Sequence, residues 1–399
     1  MARKLKVAIV GGGIGGIAAA LALQRAGIEA EVYEQASRLG EIGAGLNLSP
    51  NALKAFRMLG FEQEAIAAGW QDENQSTRSW RTAFPISQQP RRNTTNLYGA
   101  AYLTMHRADL QNMMLERVKG NTLHTGKACV EAGNTDEGAY AKFVDGDSIE
   151  ADLIIGADGI RSVVRDSLFG SQPPHFTGCV CWRGLVPIEA VANIPYVKDL
   201  AAWWGPHGHV VHYRVRRGEL VNFVAHYDSD AWTEESWTRE CTRDELISTF
   251  TGWNSALLRL FELSEHYYKW ALYDRDPLPQ WSKGQVTLLG DAAHPMLPYL
   301  GQGAASAIED ACILARVLAR GDAPVPQMLQ RYEALRKPRT TRMQLGSRER
   351  AKENHLTSPV SRMMRDAKVA FRSRFGADRS IFKAAWIYEY DPATAAIDL

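Results

Sequence analysis

Lys4 to Glu34 leaves few folds open, because a strand, a glycine turn, a helix and a second strand follow one another there without interruption. Leu5 to Val10 is a short apolar, β-rich run; Gly11-Gly12-Gly13-Ile14-Gly15-Gly16 follows; Ile17 to Ala26 continues as a helix of small residues that Gly27 stops. Val32-Tyr33 makes the second strand, with Glu34 at its end. An acid about twenty residues beyond G-x-G-x-x-G is what a dinucleotide site requires. Gly11 permits the tight turn, Gly13 lets backbone N–H groups approach a pyrophosphate, and Gly16 lets helix and strand pack closely. The helix N-terminus presents its positive dipole end to the phosphates, and Glu34 accepts from an adenosine ribose hydroxyl. A glycine turn without a ligand is the alternative, and the strand, helix and acid around this one count against it.

At 399 residues, with 45% hydrophobic and 23% charged, the chain is long enough for two packed cores or one core with a large insertion. Lys+Arg 46 against Asp+Glu 45 leaves no global field to attract nucleic acid or an acidic membrane surface. No apolar stretch approaches the ~20 residues that span a bilayer. The start, Met-Ala-Arg-Lys-Leu-Lys, reads as the way into the first strand rather than a leader, since glycines soon break the apolar run. Cys129, Cys179, Cys181, Cys241 and Cys312 are an odd set with no C-x-x-C, which argues against a disulfide framework or structural zinc. The expectation is a cytoplasmic protein whose partners are a cofactor and a small substrate, with no metal.

Further along, Ser37 to Gly45 is a glycine-rich loop before Leu46-Asn47-Leu48, and Asn51 to Leu59 is an amphipathic helix capped by Gly60. Residues from about 71 to 96 are polar and begin an excursion from the first core. Tyr102 to Leu110 is a strand running into a helix, with Arg107 at the junction, where a cation meets phosphate or ribose oxygens or pairs with a nearby carboxylate. Glu150 to Gly159 is a buried strand ending in the turn Asp158-Gly159, followed by a helix with Arg161, Ser162 and Arg165. Open α/β sheets bind ligands at such carboxyl ends. From about 177 to 269 the texture changes to alternating strands rich in Trp and Tyr. Phe176 to Pro187 is one, and His209 to Val215 with Leu220 to Tyr227 reads as a hairpin. Gln285 to Asp291 is a last parallel-type strand, and Gly303 to Leu318 a long helix.

Thr287-Leu288-Leu289-Gly290-Asp291 ends that strand; a loop through His294-Pro295 leads to Gly301-Gln302-Gly303, which opens the helix. Asp291 can accept from ribityl or ribose hydroxyls, and the helix N-terminus can stabilise negative charge on a reduced isoalloxazine ring. With Gly11 to Gly16 and Glu34, Asp158-Gly159 with Ser162 and Arg165, and Gly290-Asp291 with Pro295, the chain resembles the single-component, FAD-dependent aromatic hydroxylases of the p-hydroxybenzoate hydroxylase superfamily. The resemblance covers most of the chain. It implies non-covalent FAD, NADH or NADPH as co-substrate with a leaning to NADH, and oxygen transfer from a flavin C4a-hydroperoxide. It also implies that Arg107 touches the FAD phosphate or ribose, that Asp291 holds the ribityl or pyrophosphate side, and that Asp158-Gly159 serves both nucleotides. No second strand-linked G-x-G-x-x-G occurs, which fits a family where NAD(P)H has no domain of its own.

Within that superfamily the chain is similar to salicylate 1-hydroxylase, 3-hydroxybenzoate 6-hydroxylase and 6-hydroxynicotinate 3-monooxygenase. The likeness is carried by Gly43-Ala44-Gly45, Tyr98 to Tyr102, His106-Arg107, His294 to Pro298 and His209 to Tyr213. Asn47 stands where the hydroxynicotinate enzymes have His, and Pro298 where some 3-hydroxybenzoate enzymes have glutamine. The resemblance implies His209, Tyr213 and Pro295 as the catalytic residues. With strand period two, His209, Val211 and Tyr213 share one face while Val210 and His212 share the other, so His209 and Tyr213 can address one ring hydroxyl. His207, His209 and His212 do not make a metal set, because alternation separates them and no acid or thiol is interleaved. Arg183 can neutralise a substrate carboxylate or make a sheet-face ion pair; Trp203, Trp204, Trp232 and Trp237 can line a pocket or pack a core.

The expected architecture is α/β: a Rossmann-like FAD domain from residues 1–72, 97–175 and 270–346, a mainly antiparallel substrate domain from 73–96 and 176–269, and a helical C-terminal segment 347–399. The expected reaction is hydroxylation of a small phenolic or hydroxy-heteroaromatic acid with NAD(P)H and O2, salicylate- or 3-hydroxybenzoate-type favoured, by a monomer or homodimer. Rivals are a nicotinamide dehydrogenase, which would not need the Asp158 and Asp291 turns, and a non-catalytic flavin-binding sensor.

Overall fold

Val7 to Val10 are buried because the strand Lys6–Val10 lies inside a six-stranded sheet, paired with Glu29–Glu34 on one side and Leu153–Gly156 on the other. The computed structural model describes residues 5–40, 45–229, 241–375 and 384–398. Gly43, Ala44, Trp232 and Trp237 lie outside them. Val286–Leu288 extends the sheet beyond Leu153–Gly156, and Leu123–Thr125 extends it beyond Glu29–Glu34, all in parallel. Strands buried on both faces read as continuous apolar runs, as Leu153-Ile154-Ile155 does. The helices Ile14–Arg25 and Gly303–Arg320 join one core with this sheet. A three-stranded antiparallel meander, Cys129–Asn134, Ala139–Phe143 and Ser148–Ala151, stands beside it; the sequence reading had not separated it.

The second sheet has seven strands, in the order Tyr268–Asp274, His175–Pro187, Leu220–Asp228, Gly208–Val215, Leu200–Trp204, Asn74–Ser79 and Pro85–Pro90. Asn74–Ser79 and Leu200–Trp204 run parallel, and the remaining neighbours run antiparallel. A parallel pair needs a long crossover, and here the chain between the two strands passes through the first sheet. The polar stretch after residue 71 thus supplies two strands of the second sheet. One face of this sheet packs Trp182, Trp203 and Phe223 against Phe250, at the C-terminal cap of the helix Arg243–Thr249, and Leu257 and Phe261 of the helix Ser255–Glu262. The opposite face looks onto the first domain, where the side chain of a residue added at Gly45 would collide with Tyr213.

Val325–Asn354 is one helix with Pro338 inside, and it spans residue 346, where the expected FAD domain ends. Beyond it, Pro359–Phe375 is a helix with no buried residue, while Ile387 and Tyr388 return to pack with Tyr98 and Met343. None of the five cysteines is in a disulfide. Among the described residues no helix is long and apolar enough to cross a membrane.

Candidate active site

The glycine turn has the shape its sequence demands. Gly11 sits at φ +107, and a Cβ there would strike the Ala157 carbonyl, as one at Gly16 would strike the carbonyl of Gly11. Gly13 caps Ile14–Arg25 without a side-chain hydrogen bond, and no acid lies in the first turn, so that turn offers its N–H groups to an anion. Glu34 Oε2 accepts from Gly12 N at 2.6 Å and Oε1 from Ala36 N at 2.8 Å, which fixes the acid beside the turn. Gln111 Nε2, which the sequence did not flag, donates to the Gly12 carbonyl at 2.9 Å and ties the helix that begins at Arg107 to the same turn.

Asp158 spends its carboxylate on its own turn, accepting from Ser162 Oγ at 2.5 Å and Val164 N at 3.1 Å. Burial raises this carboxyl and those hydrogen bonds pull it back. What Asp158-Gly159 can offer a ligand is therefore the rigid backbone of the turn. Asp291 differs: solvent reaches its side chain although protein surrounds it, as for a residue lining a groove. Burial raises its carboxyl, against the charges of His294 and Arg107, so Arg107 and Asp291 act on one region. Gly301 is left-handed at φ +63 and Gly303 opens the helix Gly303–Arg320, again with no side-chain cap and no acid in the first turn. The Gln302 side chain is used inside the protein, donating to Ser49 Oγ at 2.9 Å and accepting from Asn51 Nδ2 at 3.0 Å, so only its backbone faces the cofactor loop.

Two residues of that loop brace it. His294 shares a 2.5 Å contact with Asp310, whose other oxygen accepts from Arg336 Nε at 2.7 Å; Gly290 N donates to Asp310 as well. Pro295 is buried, and its carbonyl accepts from Gln344 Nε2 at 2.9 Å. Held from behind in this way, Pro295 fixes the path of the loop that leads from His294 towards Tyr299. The residue of this loop that reaches the second sheet is Tyr299.

On the inward face of the second sheet the register sets out the remaining groups. Trp204 and His226 lie opposite His209, Asn222 opposite Tyr213, and Arg183 opposite Val224, one strand further on. His209 and Tyr213 share this face. His212 is on the other, where Trp203 Nε1 donates to its Nε2 at 2.8 Å and burial with Arg78 nearby drops it to about 3. Gly45 N donates to Asn222 Oδ1 at 3.0 Å, clamping the first domain's loop to this face beside Tyr213. Burial pushes the Tyr213 hydroxyl up to about 12 against the pull of Arg183, so it remains a neutral donor. Arg183 lies over the Trp270 ring at 4.3 Å, with its buried Nε lacking a hydrogen-bond partner.

Three neighbours of His209 escaped the sequence reading. His226 stacks on it with centroids 4.5 Å apart and planes at 7°, Tyr299 lies 5.4 Å away, and His355 Nε2 is 2.9 Å from His209 Nδ1. Burial, then the charges of His226, His355, Arg350 and Arg365, hold His209 well below an ordinary histidine. It is neutral at pH 7 and able to accept a proton. His355, Asp228 and Cys179 bring ligand-type atoms within 4.8 Å of one another. The 2.5 Å contact between His355 Nδ1 and Asp228 is a hydrogen bond, the Tyr299 hydroxyl donates to Cys179 Sγ at 3.4 Å, and burial raises the Cys179 thiol.

These features fit FAD: a glycine cradle no side chain can enter, two uncapped helix starts, Glu34 at a strand end, and Asn47 Oδ1 buried without a partner beside Gly301. The profile of a family described as FAD binding domain matches residues 4–346. A 3-amino-4-hydroxybenzoate 2-monooxygenase of Streptomyces platensis is 39% identical over 389 residues, covering 97% of this chain and 96% of that protein. A 3-hydroxybenzoate 6-hydroxylase of Aquipseudomonas alcaligenes is 36% identical over 346 residues, covering 86% and 87%. Among solved structures, Klebsiella pneumoniae HpxO with FAD and uric acid superposes with a TM-score of 0.86 at 27% identity, covering 96% of this chain and 97% of that one.

Proposed function

We propose, since this chain belongs to the FAD binding domain family and is a FAD-dependent aromatic monooxygenase, that it hydroxylates a small aromatic acid bearing a ring hydroxyl. The favoured substrates are benzoates of the salicylate or 3-hydroxybenzoate type, and the amino-hydroxybenzoate of the Streptomyces relative joins them. One observation carries this reading: a neutral base, a neutral donor and a cation, His209, Tyr213 and Arg183, stand on one sheet face opposite the Gly45 and Tyr299 loops. Bound FAD, reduced by NAD(P)H, supplies the oxygen-activating chemistry.

The chain's own residues hold and prepare the ring. His209 takes the proton of the ring hydroxyl and Tyr213 donates to the resulting oxygen, which raises the electron density of the ring. Arg183 receives the carboxylate and sets which ring carbon faces the cofactor. Tyr299, His226 and Trp204 shut water out around them.

Arg183→Met tests the assignment of the acid. A hydrogen bond to a charged group is worth about 1.5–3 kcal/mol, so KM for a hydroxybenzoate rises about 10- to 100-fold. Because the contact holds in ground and transition states alike, kcat changes little. The matching hydroxybenzamide is unaffected. Equal losses for acid and amide would remove Arg183 from the substrate site, and a wild type indifferent to every hydroxybenzoate and hydroxynicotinate in NADH oxidation would remove the function.

A further inference from the structure

His209 is not the end of its hydrogen-bonded chain. His355, at the C-terminal cap of Val325–Asn354, contacts His209 Nδ1 through Nε2 at 2.9 Å and Asp228 through Nδ1 at 2.5 Å. The chain passes from the buried His209, through a His355 side chain 9% exposed, to an Asp228 side chain 38% exposed. Asp228 also faces His207 Nδ1 at 3.8 Å, and the His207 side chain is 51% exposed. Burial falls steadily along three consecutive proton-carrying groups.

We infer that Asp228 and His355 form a relay that carries the ring-hydroxyl proton from His209 to solvent; this rests on the substrate reading above. The carboxylate of Asp228 sets the order of protons. It accepts from His355 Nδ1–H, so a neutral His355 has Nε2 free to accept from His209 Nδ1–H, and His209 Nε2 is then the unprotonated nitrogen. When the substrate hydroxyl gives its proton to His209 Nε2, His209 Nδ1–H passes to His355 Nε2. His355 Nδ1–H passes to Asp228, and Asp228 yields a proton to water. One proton enters and one leaves. Both rings end neutral with their tautomers exchanged, and the reverse passage re-protonates the departing product and restores them.

The surroundings suit transfer rather than storage of the proton. His209 faces His226 from the neighbouring strand, Tyr299 from the cofactor loop, His355 and Arg350 from the long helix, and Arg365 from Pro359–Phe375. Those basic groups disfavour an imidazolium at His209. Cys179 is engaged by Tyr299, whose hydroxyl donates to Sγ at 3.4 Å, and takes no part. Asp228 and His355 are positioning residues acting through His209.

The test uses FAD-loaded protein and 4-hydroxy-3-nitrobenzoate, whose ring hydroxyl changes colour on ionisation. Mixing with wild type in weak buffer with a pH indicator should show ionisation of the bound dye and proton release to solvent together. Asp228→Asn and His355→Ala should slow both by about 10²-fold, the low end for loss of a proton-transfer partner, while dye affinity stays within about twofold. Free imidazole should restore the rate in His355→Ala in proportion to its neutral form, and it should not do so in Asp228→Asn. A structural role would not respond to imidazole. Normal dye binding with unchanged proton release in both variants overturns the relay alone. Failure of the wild type to bind any hydroxybenzoate overturns the substrate reading and the relay with it.

Discussion

His209→Ala should lower hydroxylation by about 10²–10⁴-fold, the usual loss when a positioned proton acceptor is removed, while NADH oxidation falls less and hydrogen peroxide rises. A histidine enclosed on the sheet face, with His226, His355, Arg350 and Arg365 around it, stays neutral, so the base is ready at pH 7. Its acid limb lies at the depressed value: activity that needs neutral His209 is present above it and is lost as the pH falls through it. Without the imidazole a bound phenol keeps its proton and the ring is a poor nucleophile. NADH oxidation then runs uncoupled from ring hydroxylation, and the peroxide-to-product ratio reports it. Tyr213→Phe should give a milder form, since the ring that fills the space beside Gly45 remains. His212→Ala is the control, because that side chain is on the opposite face with Trp203. A coupled His209→Ala beside an uncoupled His212→Ala would mean that the wrong face has been assigned to catalysis.

Asp310→Ala should cost about 3–5 kcal/mol of folding free energy, as breaking a buried ion pair does. Burial alone would raise the Asp310 carboxyl, but His294 and Arg336 hold it down at about 2. Removing it leaves Arg336 with Glu309 and the Ser306 carbonyl and takes the acceptor from Gly290 N, so the Gly290-Asp291 turn loosens too. The melting temperature should fall by about 4–6 °C, with flavin lost at lower temperature than in wild type. The sign with pH follows from the lowered value. Relative to 3.8 unfolded, this carboxylate contributes stability above about pH 4 that disappears as the pH falls through about 2. The wild type should therefore lose about 2 kcal/mol over that range that Asp310→Ala does not lose. Equal melting temperatures for the two proteins would mean that the network does not hold the cofactor loop.

Local patterns carried most of the fold into the sequence. The first βαβ unit was legible because every residue of Leu5 to Glu34 agrees with it, and the face shared by His209 and Tyr213 follows from strand period alone. His226 was within reach as well: closing the Arg216–Gly218 turn on Val215 and Leu220 puts His226 opposite His209 by counting. His355 was not. It arrives at the end of a helix whose packing no local pattern dictates. The parallel pairing of Asn74–Ser79 with Leu200–Trp204 is equally non-local. For Pro295 the motif marks where the loop is, while the contact that Gln344 makes behind it is non-local and left no pattern in the sequence.

The most direct measurement is a single-turnover reaction of the FAD-loaded protein with NADH, a hydroxybenzoate and isotopically heavy O2, followed by mass analysis of the product. The account predicts a hydroxylated ring carrying one heavy oxygen atom, formed by wild type and by His212→Ala and nearly absent from His209→Ala, which releases peroxide instead. NADH oxidised by wild type with no heavy oxygen in any hydroxybenzoate, aminohydroxybenzoate or hydroxynicotinate would contradict it.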